Sequence, residues 1–267
     1  LSPVYPVGSM MADVATYSGG KDASWWEILK NLLGHRADRE AIRERSVELL
    51  DRMRIPDPEG TLDRYPVELS GGMRQRVIIA MALINEPDFL IADEPTTALD
   101  VTVQNQILDL LRERVEERDL SMLYITHNLG VAREIADRIC IMYAGEIVEV
   151  GRTEDIFDAP LHPYTRGLLE SIPKLTGFEG TGIDGQIPDY TDPPSGCRFH
   201  PRCPAAMEGT CDVEPVEEYA VGDDRTVACH LYEDGMDFDD AAAIAADEAT
   251  YRDEDVQPAE AGVGGER

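Results

Sequence analysis

Phe89-Leu90-Ile91-Ala92-Asp93-Glu94-Pro95 is the stretch on which the fold of this chain turns. Four consecutive apolar residues predict a buried strand, and two carboxylates follow at its C-terminal end. In an open α/β sheet, ligands collect at that edge. Asp93 can hold Mg²⁺ directly or through water. Glu94 can orient or deprotonate an attacking water. Taken alone, the stretch is equally a strand that ends in a charged turn.

Two further stretches flank it. Upstream stands Leu69-Ser70-Gly71-Gly72-Met73, followed by Arg74-Gln75-Arg76 and an apolar helix over Val77–Ile84. A serine and two glycines at a helix start can present a hydroxyl and bare N–H groups to an anion, and the helix dipole adds partial positive charge there. The plain alternative is a serine N-cap with a glycine turn. Downstream, Met122–Ile125 predicts a second buried strand that ends at Thr126-His127. A lone histidine at a strand end is more often structural than catalytic. Here the two strands are neighbours in sequence, so both ends are expected on one edge of the sheet.

The remaining pattern alternates helix and strand. Residues 1–21 predict a loop, with Pro3, Pro6, Gly8, Gly19 and Gly20 as punctuation. Residues 22–53 predict a helix capped by Asp38, with Ile42, Leu49, Leu50 and Met53 on its apolar face. Residues 54–68 form a connector broken by Pro56, Pro58 and Pro66. Val101–Arg118 is amphipathic, 129–137 predicts a helix, and Ile139–Tyr143 and Ile147–Val150 predict strands joined at Gly145. Such alternation argues for an α/β fold with a parallel sheet. Beyond about residue 175 periodicity fades while glycine, proline and cysteine rise. Residues 231–267 carry twelve Asp or Glu against two Arg, and predict a disordered acidic tail.

Composition narrows the function classes. The 267 residues carry a formal net charge of -29, with only Lys21, Lys30 and Lys174 as lysines. That balance argues against nucleic-acid binding, which needs basic patches to neutralise phosphate, and against attachment to anionic lipid. It suits a surface adapted to a salty cytoplasm. No signal peptide or membrane-length apolar run is visible, so a soluble cytoplasmic protein is expected, one able to dock on a membrane partner.

Together, the Leu-Ser-Gly-Gly stretch, the apolar strand with Asp-Glu-Pro, Ala98-Leu99-Asp100 and the later Thr-His closely resemble the ATP-binding cassette family over about residues 1 to 230. The resemblance implies a P-loop NTPase-like α/β domain with ATP and Mg²⁺ as cofactors. It casts Leu69–Met73 as the signature motif, with Ser70, Gly71, Gly72 and Gln75 near the nucleotide. It makes Phe89–Glu94 the Walker B strand, with Asp93 on the Mg²⁺ side and Glu94 as the catalytic carboxylate. Asp100 becomes the D-loop aspartate that couples two sites, and His127 the switch histidine.

A subgroup is also implied. Leu1-Ser2-Pro3-Val4-Tyr5-Pro6-Val7-Gly8, Ala159-Pro160-Leu161-His162-Pro163-Tyr164-Thr165-Arg166-Gly167-Leu168 and Gly196-Cys197-Arg198-Phe199-His200-Pro201-Arg202-Cys203-Pro204 resemble marks of dipeptide and oligopeptide importers. Nickel importers share those marks, and a soluble cassette protein outside transport is the other alternative. The resemblance implies domains at 1–155 (helical subdomain 22–68), 156–230 and 231–267. Its partners are a second cassette subunit, two membrane-spanning permease subunits and, indirectly, an extracellular solute-binding protein. Its place is the cytoplasmic face of the cell membrane.

The sequence departs from the family in one respect. No Gly-x-x-x-x-Gly-Lys-Ser/Thr occurs, and Gly19-Gly20-Lys21-Asp22 has neither the spacing nor the hydroxyl of that loop. With no initiator methionine, a truncated sequence is expected, inactive and poorly stable by itself.

Cys197, Cys203, Cys211 and Cys229 fall within a short stretch, while Cys140 stands in an apolar run and predicts a core residue. The four match neither zinc-ribbon nor ferredoxin spacing. A reducing cytoplasm argues against disulfides. The resemblance suggests a [4Fe–4S] cluster on the four; zinc, drawing on His200 or His230, and four unpaired thiols are the alternatives.

Overall fold

The computed structural model of the protein describes residues 1–17, 25–97, 99–118, 120–172, 183–189, 191–232, 240 and 243. They form two compact units, Leu1–His127 and Asn128–Arg267.

The first unit opens with a helix the sequence did not announce. Residues 7–17 form α1 (Val7–Tyr17) rather than a loop. Val7, Met10 and Met11 are buried, at the i, i+3, i+4 spacing of a helix face. Pro6 misled as punctuation; its carbonyl accepts the Ser9 and Met10 N–H groups and so starts the helix. Next comes α2 (Trp25–Arg52). Asp38 lies inside it, thirteen residues after its first residue, rather than at its start. The proline-broken connector also holds structure, because proline suits the first turn of a helix, where its missing N–H costs nothing. Pro58 opens α3 (Pro58–Asp63), capped by Asp57, whose carboxylate accepts the Gly60 N–H at 3.2 Å. Pro66 opens a 3₁₀ turn, Pro66–Glu68.

Helix α4 (Gly71–Leu83), strand β1 (Phe89–Asp93), helix α5 (Val101–Arg118) and strand β2 (Ser121–Ile125) complete this unit. Ile107, Leu108, Leu110 and Leu111 bury one face of α5. Gly72 lets α4 approach it: a Cβ there would stand 2.8 Å from Cγ1 of Val103. Strands β1 and β2 pair in parallel from Phe89↔Ser121 to Asp93↔Ile125. Their tips therefore share one edge, as expected. The strands are half-buried rather than buried throughout. Leu90 and Ala92 are shielded, while Phe89, Ile91, Leu123 and Ile125 on the alternate positions stay exposed among the described residues.

The second unit contains α6 (Leu129–Ile135), β3 (Arg138–Tyr143), β4 (Glu146–Arg152), α7 (Thr153–Asp158), α8 (Pro163–Glu170), β5 (Tyr219–Val221) and β6 (Arg225–Val227). Its sheet runs β3-β4-β6-β5 and is antiparallel throughout, against the expected parallel arrangement. The cause is local. Ala144 (φ 49°) and Gly145 (φ 86°) both take positive φ, the two-residue geometry that closes a hairpin. Strand β3 turns Ile139, Ile141 and Tyr143 inward. The period of two therefore puts Cys140 outside, and it is exposed rather than a core residue.

Phe199 and Ile156 complete the core around β3, and a second apolar cluster gathers Leu161, Val221, Val227, Cys229 and Tyr232. Charged groups pass through this second region. The Glu149 carboxylate meets Arg225 and accepts the N–H groups of Leu161 and His162. Arg166 donates to the Leu161 carbonyl at 2.7 Å and to the Tyr232 hydroxyl at 3.0 Å. The described residues from 183 to 218 hold only one 3₁₀ turn, His200–Arg202, in line with the lost periodicity. The predicted acidic tail and Gly19–Asp22 lie almost wholly outside the described residues. Among the described residues, no helix is long and apolar enough to cross a membrane.

Candidate functional site

The tip of β1 carries the densest chemistry in the first unit. Asp93 is the last ladder residue and is exposed. Glu94 follows with its N–H donated to the Ile125 carbonyl at 2.9 Å, so the ladder reaches one residue past the strand. Its φ of 45° lies in the left-handed region, an uncommon conformation for a residue with a Cβ. That turn sends the chain away from the sheet through Pro95, Thr96 and Thr97.

Both oxygens of the Glu94 carboxylate are engaged. Oε1 lies 2.6 Å from His127 Nδ1, and Oε2 accepts the Thr97 hydroxyl at 2.5 Å. The Thr97 bond, then the His127 bond, holds the Glu94 carboxyl below the usual glutamate value. An ionised carboxylate only accepts, so Nδ1 of His127 carries the proton between them. The imidazole is otherwise open, with its side chain 76% exposed. The Thr96 hydroxyl lies 3.1 Å from that of Tyr124 and ties the turn to β2. Burial, and the Glu94 charge after it, push the Tyr124 phenol up, against the Thr96 bond.

The sequence pointed to Glu94 and His127 separately, and the parallel register brings them into contact. Thr97 it missed. The available signal was a hydroxyl three residues after the glutamate, the separation that a tight turn closes: Thr97 N–H donates to the Glu94 carbonyl at 3.2 Å.

The glycine-rich stretch lies at the start of α4. Ser70 is its N-cap, accepting the Met73 N–H at 3.2 Å. Gly71 and Gly72 pack near Leu99 and Val103 at the start of α5. Gln75 is half-buried one turn further on. Arg76 ties α4 to the carbonyls of Met53 and Arg54 and to Gln106. Asp100 caps α5 by accepting the Val103 N–H at 3.0 Å. Ser70, Gly72, Arg76 and Asp100 thus have structural tasks, and Ser70 and Gly71 are exposed as well.

Asp93 suits Mg²⁺ by chemistry, since its exposed carboxylate at the strand tip is the oxygen donor that this hard cation takes. The four clustered cysteines fit a metal poorly. Cys197 donates its N–H to the Cys211 carbonyl at 2.8 Å, and Cys203 packs on the same apolar cluster. Cys229 belongs to the other cluster. Burial pushes the Cys197 thiol up. His200 Nδ1 lies 2.8 Å from the Cys197 carbonyl, and His230 Nε2 lies 3.2 Å from the Glu214 carbonyl. Among the described residues, no group of three or more His, Cys, Asp or Glu is arranged to hold a metal ion.

Comparison with known proteins bears on both units. Residues 14–97 match the family described as ABC transporter, and residues 148–211 match the oligopeptide/dipeptide transporter, C-terminal region. The dipeptide transport ATP-binding protein DppD of Bacillus subtilis is 51% identical over 203 residues, covering 75% of this chain and 60% of that protein. DppD of Haemophilus influenzae is 45% identical over 233 residues, 86% of this chain and 65% of its own length. Among solved structures, a dimeric post-hydrolysis state of the ATP-binding cassette MJ0796 bound to ADP and Pi is 28% identical. That match covers 57% of this chain and 59% of the other, with a TM-score of 0.44. The chain spans about three fifths of the length of the first relatives it matches. The strand with its two acids falls in the first matched region and His162-Pro163-Tyr164 in the second, and the chain belongs to the ABC transporter family, in the group that carries the oligopeptide/dipeptide transporter C-terminal region.

Proposed function

We propose that the chain serves as the ATP-binding and ATP-hydrolysing subunit of an importer for peptides or related small solutes. The observation that carries the reading is the Glu94 carboxylate, held at the strand tip between His127 and Thr97 beside Asp93. Glu94 orients and polarises the attacking water, with its oxygens fixed by the two neighbours. Asp93 would hold Mg²⁺, which supplies neutralisation of the phosphate charge. His127 presents Nε2 to the terminal phosphate. Because Nδ1 donates to Glu94, Nε2 donates as well only in the doubly protonated ring.

Ser70, Gly71 and Gly72 serve a nucleotide held by a second cassette subunit, through the N–H groups and positive dipole end of α4. Asp100 follows Leu99, whose Cδ2 would lie 3.9 Å from a Cβ added at Gly71, and this proximity to the glycine-rich stretch supports its role in coupling the two sites. The chain sits at the cytoplasmic face of the membrane against two permease subunits, which receive the solute from an extracellular solute-binding protein on their other side. Identity to dipeptide transport ATP-binding proteins supports a peptide as the solute. The net charge of -29 supports operation in a salty cytoplasm, which requires activity and folding to rise with molar salt.

An iron–sulfur cluster on Cys197, Cys203, Cys211 and Cys229 is supported by four thiols close in sequence, three of them in one apolar cluster. It requires Cys229 to leave its own cluster. An iron assay with an ultraviolet–visible spectrum decides it.

The central test is Glu94→Gln in the intact gene product. ATP binding is retained and hydrolysis falls by about a hundredfold or more, as expected for loss of a general base. Turnover at the unaltered rate overturns the reading.

A further inference from the structure

The turn after β1 contains two threonines with different partners. Thr96 is 8% exposed and faces the Tyr124 hydroxyl, which fixes the backbone of the turn to β2. Thr97 is exposed, and its hydroxyl goes to the side chain of Glu94. Fixing the backbone of a glutamate does not fix its carboxylate, because three side-chain torsions remain free. His127 restrains Oε1 only, and a carboxylate held at one oxygen still pivots about that contact. Thr97 restrains Oε2 and removes the pivot. Each carboxylate oxygen has a second lone-pair direction, so water can still be accepted while both neighbours stay in place. Glu94 itself sits at φ 45°, a costly conformation that persists where the surroundings over-determine it. The Thr97 N–H and hydroxyl both close back on that residue.

We propose that Thr97 is a positioning residue for hydrolysis: its hydroxyl holds one carboxylate oxygen of Glu94 so that the other stays on His127. This rests on the reading of Glu94 as the general base. Thr97 acts through Glu94 and needs no contact with the nucleotide. It should therefore affect turnover and leave nucleotide affinity alone.

The test is steady-state ATP hydrolysis by the intact gene product carrying Thr97→Val, Thr97→Ser, Glu94→Gln or Glu94→Gln with Thr97→Val. A hydrogen bond to a charged group is lost in Thr97→Val, so kcat should fall about tenfold, with KM for ATP changed by less than about twofold. Thr97→Ser, which keeps the hydroxyl, should recover most of kcat. In the Glu94→Gln background, Thr97→Val should have no further effect. Thr97→Ala gives the same readout if the valine variant does not fold. The proposal is overturned if the hydroxyl-free variants keep full kcat, if they raise KM alone, or if Thr97→Ser is as slow as Thr97→Val. Glu94→Gln separates the two layers. If it abolishes turnover while Thr97→Val runs at full speed, only the role of Thr97 falls. If Glu94→Gln itself turns over normally, the base reading falls and this inference with it.

Discussion

Glu149 and Arg225 meet at 2.5 Å with side chains only 0% and 2% exposed. The same carboxylate accepts the N–H groups of Leu161 at 2.9 Å and His162 at 3.0 Å. One buried acid thus holds β6 and the segment that leads into α8. Removing one partner of a buried pair leaves an uncompensated charge and costs about 3–5 kcal/mol. Glu149→Gln should therefore destabilise the protein by about 3 kcal/mol in urea unfolding. Replacing both residues, Glu149→Leu with Arg225→Met, should cost less than the two single changes summed. A Glu149→Gln midpoint unchanged from the parent would remove the pair from any structural role.

His162 should make this unit sensitive to acid. It is 1% exposed, and its Nδ1 accepts the Tyr164 N–H at 3.0 Å, so that nitrogen is unprotonated. Burial, reinforced by the Arg166 charge, lowers its pKa to about 3. The unfolded chain titrates near the ordinary histidine value of about 6.5. Between those values the unfolded state binds the extra proton, so falling pH favours unfolding. The contribution is intact above about pH 6.5 and is lost progressively toward pH 3. His162→Asn keeps an acceptor for the cap and does not titrate. It should cost stability near neutral pH and close that gap as the solution is acidified. Melting curves at several pH values check this, and a gap of constant size between pH about 7 and about 4.5 would refute it.

Gly72 sets how closely α4 approaches α5. A Cβ at that position would lie 2.8 Å from Cγ1 of Val103, and 3.7 Å from its other methyl. Overpacking of this kind costs about 1–3 kcal/mol. Gly72→Ala should lower stability by that amount, less the small gain from alanine in a helix. Shortening the opposing side chain with Val103→Ala should return part of the loss in the double variant, as seen in a double-mutant cycle. Strict additivity would mean that the two residues do not meet.

Much of the site was legible because it follows strand logic. The apolar run before Asp93 and the later run before His127 announced two strands, and their shared edge follows from pairing in parallel. The Glu94–His127 contact is that register expressed in side chains. The misreadings trace to signals with two meanings. Pro6, Pro58 and Pro66 stand at helix starts, where proline is favoured, and not in loops. Gly145 belongs to a two-residue hairpin whose other positive-φ residue is an alanine, a conformation no propensity scale assigns to Ala144. The apolar neighbours of Cys140 suggest the core, but its parity in the strand places it outside. For Thr97 the sequence offers only a hydroxyl three residues after Glu94, whose value becomes apparent once Glu94 adopts a left-handed backbone.

Ser70 offers a way to separate helix capping from nucleotide contact. Its hydroxyl accepts the Met73 N–H at 3.2 Å and caps α4, while the residue itself is exposed. Loss of such a cap costs about 1 kcal/mol, and asparagine caps as well as serine does. Ser70→Ala should therefore lower stability by about 1 kcal/mol, and Ser70→Asn should leave it nearly unchanged. If Ser70 only caps, hydrolysis should track stability and recover fully in Ser70→Asn. If Ser70 also meets a phosphate across a subunit boundary, the asparagine variant stays slow, because its longer amide occupies the space of the phosphate oxygens. We expect the second pattern: Ser70→Asn stable and slow, with ATP affinity of its own subunit unchanged. Pairing one Ser70→Asn subunit with one Glu94→Gln subunit extends the test. A shared site receives its serine from one chain and its glutamate from the other. The mixed dimer then carries both changes in one site and leaves the other intact, whereas sites built within single subunits would each be damaged once. Mixed dimers whose activity equals the simple average of the two parent homodimers would show that each subunit works alone, and the role of Ser70 would reduce to its cap.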